Sequence, residues 1–147
     1  MHTIYENILF TQLQAPIVIS ATTEVTSINH TGYEINSHII NVGVDSALDG
    51  SNYWTFKLQE SDDNSTFTDV TDLNCLSIVN NNTVQTSGST VVIDAVAEDD
   101  VVVQFEYRGL KEYSRIVMTE TGTLTTPLAV TALQERASIA PVIGRSA

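Results

Sequence analysis

The sequence predicts an all-β protein built as a single antiparallel β-sandwich. Three observations carry that expectation. Several segments alternate apolar and polar residues with a period of two, as strands with one buried face do. Clusters of Asp, Asn, Ser and Gly punctuate those segments with residues that bond their own backbone and tolerate turn geometry. Thr, Val, Ile, Asn and Ser are abundant while Lys is almost absent, a mixture that favours strands over helices.

The clearest strand is Tyr53 to Gln59, where Trp54, Phe56 and Leu58 alternate with Tyr53, Thr55, Lys57 and Gln59. It holds the single Trp of the chain, a side chain able to bury on the order of 200 Å². Asp62-Asp63-Asn64-Ser65 forms the following turn, and Phe67 and Val70 restart the apolar pattern as the return arm of a hairpin.

From the start of the chain, residues 1–16 show no helix cap and run into Pro16; they are expected to form an extended N-terminal arm. Ile17 to Ser20 reads as a short strand, and Asn29-His30-Thr31-Gly32 as a turn. In Ser37–Asp45, His38, Ile40, Val42 and Val44 share one face. Gly43 inside that run marks a bulge or a close backbone approach. Asp49-Gly50-Ser51-Asn52 turns the chain into the Trp54 strand. Leu76 to Val79 reads as an edge strand and Ser89 to Asp94 as another strand.

Val101, Val103, Phe105 and Tyr107 share a face, Arg108 to Lys111 turns, and Tyr113 to Thr119 is expected to return as their antiparallel partner. Val117 is placed in the core beside Trp54, Phe56, Leu58, Val103 and Phe105. After Gly122, Leu124, Thr126, Leu128 and Val130 alternate again. About eight strands at this spacing fit a jelly-roll or immunoglobulin-like sandwich. Residues 17–134 form the expected domain, and residues 135–147, without clear period and broken by Pro141 and Gly144, a C-terminal arm.

The 147 residues suffice for one core without disulfides or metals. Eighteen acidic against six basic residues give a net charge of −12, which repels nucleic acid and anionic membrane surfaces. Cys75 has no second cysteine to pair with, and its apolar neighbours Leu73 and Leu76 make it a buried structural thiol. The first residues lack the basic and apolar regions of a signal peptide, and no stretch approaches the ~20 apolar residues of a membrane span.

Nothing in the chain reads as catalytic. His2, His30 and His38 are scattered, no nucleophile elbow or phosphate loop occurs, and one Cys with isolated histidines makes no zinc site. The acidic turns Asp62-Asp63-Asn64 and Glu98-Asp99-Asp100 lack the spacing of a calcium loop and read as solvated turns. The expectation is therefore a non-enzymatic protein with no cofactor and no metal.

Leu58-Gln59-Glu60-Ser61-Asp62-Asp63-Asn64-Ser65-Thr66-Phe67-Thr68-Asp69-Val70 resembles a stretch common in small virion proteins of tailed phages. Tyr107-Arg108-Gly109-Leu110-Lys111-Glu112-Tyr113-Ser114-Arg115, then Thr121-Gly122-Thr123, is similar to a hairpin and turn of that family. Val42-Gly43-Val44-Asp45 and Asp49-Gly50 also look similar, so the resemblance spans residues ~42–123. It departs at Glu112, where the family usually has a base, and at Ser114, where it usually has a β-branched residue.

The resemblance implies a head-associated role: a capsid decoration or cement protein on the outer surface of the virion head, made in the host cytoplasm, with the major capsid protein as partner. A homo-oligomer, guessed as a trimer, matches capsid symmetry. The residues expected to touch the partner are Arg136, Ile139, Pro141, Val142, Ile143 and Arg145 in the terminal arm. The alternatives are a tail or baseplate adaptor, a receptor-binding β-module, or a carbohydrate-binding domain.

Overall fold

The structure, a computed structural model, describes residues 7–80 and 88–137. Its centre is the Trp54 strand, β5 (Tyr53–Ser61), whose residues alternate buried and half-buried as far as Glu60. Around it lie β1 (Ile8–Ile19), β2 (Thr23–Glu24), β3 (Ile28–Asn29), β4 (Tyr33–Val42), β6 (Thr68–Asp69), β7 (Cys75–Asn80), β8 (Thr90–Ile93), β9 (Val101–Tyr107), β10 (Tyr113–Thr121) and β11 (Thr126–Ala137). Two 3₁₀ turns, Asp72–Asn74 and Val96–Glu98, complete the described secondary structure.

Two antiparallel sheets pack against each other, as expected of an all-β sandwich. One is five-stranded in the order β1-β11-β4-β9-β7. The other is centred on the β10–β5 pair, with β2 and β3 on the free edge of β10 and β6 and β8 on that of β5. Trp54, Phe56 and Leu58 from β5, Ile116 and Met118 from β10, and Ile40, Val103, Phe105 and Val130 from the facing sheet are all sealed from solvent. The Trp54 and Phe56 rings lie nearly parallel with centroids 6.3 Å apart.

The β5–β6 hairpin is present, with Asn64 in the left-handed region at φ 55° in its turn. Asp63 Oδ1 accepts bonds from the backbone N–H of Ser65 (2.9 Å) and Thr66 (2.7 Å) and from the Ser61 hydroxyl (2.9 Å). Those bonds hold its carboxyl down near a pKa of about 2. The acidic turn thus uses its own oxygens to stay folded. β7 is an edge strand, as its sequence predicts, and Cys75 is a buried thiol pushed up to about 12 chiefly by desolvation. Gly43 donates to Pro127 O at 2.8 Å, and a Cβ there would lie 3.0 Å from the same oxygen. The close approach read from the sequence is real.

Other expectations give way. β9 and β10 are not paired: β9 lies between β4 and β7, and β10 pairs with β5. The residues 108–112 between them carry the chain from one sheet to the other. Likewise β4 and β5 are joined by a crossing, because β4 is already flanked by β11 and β9. Alternation cannot distinguish a hairpin from a crossing, since both bury one face.

Val117 is half-buried on the outer face, and its neighbours Ile116 and Met118 fill the core. The run Ile116-Val117-Met118 is apolar in both parities, and the inward parity carries Ser114, which a sequence reading places outside. Val44 is exposed, because β4 ends at Val42. Residues 8–16 of the expected arm belong to β1, paired with β11 from Ile8↔Glu135 to Ile19↔Thr126 around two bulges. β11 in turn extends past residue 134 to Ala137.

Trp54 is tied as well as packed. Its Nε1–H donates to Thr126 Oγ1 at 2.6 Å, and that hydroxyl donates to Asp45 Oδ2 at 2.7 Å. Burial works to raise the Asp45 carboxyl, but bonds from Ala47, Thr126 and Thr125 outweigh it and hold it below its ordinary value. Trp54→Ala removes both packing and bond and is expected to cost about 3–5 kcal/mol. Against a total of roughly 5–15 kcal/mol, equilibrium urea unfolding should show a largely unfolded or severely weakened domain.

Candidate functional site

At the far end of β5 from Trp54, a polar cluster crosses the sandwich. β4 is buried on both sides along Asn36, Ser37 and His38, so its inward parity delivers the His38 imidazole into the core. There it meets Ser114 of β10: His38 Nε2 lies 2.8 Å from Ser114 Oγ. The turn before β4 brings His30 Nε2 to 2.7 Å from the same oxygen, and His30 Nδ1 lies 2.9 Å from the Lys111 carbonyl.

The hydrogen positions follow from these partners. A carbonyl only accepts, so His30 Nδ1 carries the proton and neutral His30 Nε2 accepts from the Ser114 hydroxyl. Ser114 Oγ then accepts from His38 Nε2–H. His38 Nδ1, which has no partner among the described residues, is left as a bare lone pair. The reverse arrangement would bury an unsatisfied N–H instead.

Beside this relay, Tyr107 OH donates to Glu60 Oε2 at 2.7 Å and accepts from Lys111 N–H at 2.9 Å. Lys111 Nζ stands 3.8 Å from Glu60 Oε1. Desolvation, then the Glu60 bond, raises the Tyr107 phenol, which stays protonated. The His30 and Tyr107 rings are 4.5 Å apart. Both rings line an open hollow of about 630 Å³, with Tyr33, Asn36, Arg108 and Leu110 also on its wall.

A serine between two imidazoles has the composition of a nucleophile with a base. Its surroundings differ: Ser114 and His38 have no solvent exposure, and the hydroxyl proton is held by His30. The arrangement links the sheets, since His38 and Ser114 come from opposite ones. The sequence puts His38 on one face with Ile40 and Val42 but does not reveal its partners. The signal was Ser114 itself, one of the two positions at which the resemblance breaks.

The outward faces of the two sheets differ sharply in charge. On the β10–β5 sheet, Arg115 donates to Glu24 at 2.7 and 3.0 Å and to Gln59, with its guanidinium 4.1 Å from the Phe67 ring centre; Lys57 pairs with Asp69 at 3.0 Å. The strands of the five-stranded sheet contain only Glu34, Glu106, Glu135 and Arg136 as charged residues, all toward one end. Register aligns Phe10, Leu133, Ser37, Glu106 and Leu76 in one outward row, and Gln12, Thr131, Ile39, Gln104 and Ile78 in the next.

Of the residues expected to contact a partner, Arg136 is described. It sits at φ 53° near the end of β11, exposed, with Nη1 3.5 Å from Glu34 Oε2. Ile139, Pro141, Val142, Ile143 and Arg145 lie outside the described residues. Among the described residues no group of three or more His, Cys, Asp and Glu is placed to hold a metal, and no helix is long and apolar enough to cross a membrane.

The His38 environment makes the fold acid-sensitive. Desolvation, and to a lesser extent the nearby His30, lowers its pKa from 6.5 to about 3; His30 is lowered too, chiefly by burial. Between those values the unfolded chain binds a proton that the folded chain refuses, so stability is full above about pH 6.5 and falls as pH drops toward 3. At about pH 4.5 the His38 share of the loss is roughly 2–3 kcal/mol. His38→Leu should lower stability at pH 7 by about 1–3 kcal/mol through the lost bond and flatten the decline below pH 6.5. Urea midpoints of both proteins across that range check this.

No family model matches the chain, and no curated protein matches it. Among solved structures, the SPBc2 prophage-derived protein YomS is similar over 91% of this chain and 96% of that one, with 13% identity and a TM-score of 0.54. At that identity the likeness is one of fold: the two chains share this sandwich arrangement over nearly their whole lengths.

Proposed function

We propose that this chain is a non-enzymatic structural protein of a phage particle, a capsid decoration or cement protein bound to the outside of the head. The observation that carries the reading is the fold shared with a prophage-derived protein across almost the full length of both chains. The resemblance of residues ~42–123 to small tailed-phage virion proteins supports it independently. The sealed Ser114 supports the absence of hydrolysis: an attacking oxygen must reach its substrate, and this one is enclosed between two sheets. A net charge of −12 keeps such a protein off packaged nucleic acid and steers it toward basic patches of a shell.

The major capsid protein is the proposed partner, with the chain working as a homo-oligomer. The residues after Ala137, among them Ile139, Val142 and Ile143, serve as a clamp on the shell. Ordering such a segment costs roughly 1–2 kcal/mol per residue in backbone entropy, so it must bury apolar surface to hold.

Purified protein added to heads that lack it should bind, raise their heat resistance, and appear on the head surface by electron microscopy with antibody label. Deleting residues 138–147 should abolish binding. Equal occupancy by the full-length and shortened proteins removes the tail from the mechanism. Binding to tails instead of heads moves the function to the adaptor alternative. If acidic steering dominates, occupancy should fall between about 0.05 and 0.5 M salt, where the screening length shrinks to a few ångströms.

A further inference from the structure

The geometry points to the outward face of the five-stranded sheet as a self-association surface, on which a second copy of this chain packs sheet against sheet about a two-fold axis. The starting observation is the sequence of its strands. β4, β7 and β9 carry apolar residues outward as well as inward, among polar ones: Ile39 as well as Ile40, Val102 as well as Val103, Ile78 as well as Val79. Strands that are apolar on both faces belong in sheets covered on both faces. The inner face is covered by the β10–β5 sheet; on the outer one Phe10 and Ile78 are exposed and Ile39, Leu76 and Val102 half-buried.

Charge selects the occupant. A basic partner would be drawn to the acidic surface elsewhere on the molecule. A second copy carries the same −12 and can approach only where charge is lowest. That place is this face. Its two outward carboxylates, Glu106 and Glu135, lie at one end, and Glu106 is already bonded by Arg108 Nε at 2.9 Å. The opposite outer face, with its Arg115–Glu24 and Lys57–Asp69 pairs, is a solvated surface by contrast.

Size agrees. Five strands about 4.8 Å apart, each with about eight paired residues rising about 3.4 Å, present roughly 650 Å² per copy and about 1,300 Å² per pair. Stable specific interfaces bury about 1,200–2,000 Å² in total. β4 is the middle strand of the sheet, and Ile39 is near the middle of β4, so the two-fold passes close to Ile39. Ser37, in the adjacent row, is buried, and its hydroxyl has no partner among the described residues. A contact of this kind is self-complementary and closes at two copies, whereas a trimer needs two different surfaces.

The test is sedimentation velocity with light scattering on the full-length chain at about 1–100 µM. Twice the 16.0 kDa chain mass is expected. Because the face is poor in charge and the bodies repel, raising salt to about 0.5 M should strengthen the dimer, the opposite of acidic steering to a shell. Ile39→Lys should weaken dimerisation at least tenfold with an unchanged far-ultraviolet dichroism spectrum. Gln104→Glu, isosteric and therefore safe for the fold, should weaken it severalfold at low salt and least at high salt, where the added repulsion is screened.

A monomeric wild type at 100 µM, or a trimer mass, overturns the proposal. Variants as dimeric as the wild type also overturn it and move the contact elsewhere, to the β1 edge first. A monomer that becomes dimeric on deletion of residues 138–147 overturns it too, because the chain's own tail then covers the face. The inference does not depend on the head-surface role: a protein that decorates heads as a monomer would keep that role and lose this one.

Discussion

The fold depends on one constraint: the chain keeps changing sheets. From β3 to β4, β4 to β5, β6 to β7, and at every later step, the next strand falls on the opposite layer. β5–β6 is the sole hairpin among the described strands, so nearly every ladder joins segments distant in sequence. Such contacts must overcome loop-closure entropy before they stabilise anything. Neither sheet has a local hairpin framework on which to assemble alone. The apolar layer between them has to form with the sheets, and this gives weight to each residue that reaches across it.

Two polar chains do reach across, near opposite ends of β5. Trp54, Thr126 and Asp45 form one; His38, Ser114 and His30, with Tyr107 and Glu60 alongside, form the other. An apolar layer is non-directional and tolerates sliding. Directional bonds at the two ends oppose it, and an unpaired member would carry the full cost of a buried polar group. The resulting core is specific at both ends, at the expense of acid tolerance at one of them, because the imidazole that bonds Ser114 must remain neutral.

This balance explains what the sequence made legible. Alternation placed Trp54, Phe56, Leu58, Val103 and Phe105 correctly, because their outward neighbours are polar or small enough to mark the parity. It failed at Ile116-Val117-Met118, where both parities are apolar and the deciding inward residue is a serine. Local turn chemistry identified Asp63 and Gly43 for the right reasons. Pairing was beyond reach: whether residues 108–112 close a hairpin or cross between layers depends on which neighbours β9 already has, and no local pattern records that. The His38–Ser114–His30 relay was invisible for the same reason, since its members come from three separate segments.

The outward residues of the two sheets define two different surfaces. β4, β7 and β9 carry Ile39, Ile78 and Val102 outward as well as apolar residues inward, while the β10–β5 sheet carries Arg115 and Lys57 outward. Eighteen acids on one chain keep copies apart in solution unless some surface is spared. Sparing most of one sheet face leaves one direction in which like-charged copies can meet, and leaves the acidic remainder free for a surface of opposite sign. In the role proposed here, pairing and adhesion to a shell need different faces. The sandwich meets that need because its two sheets have independent outer surfaces.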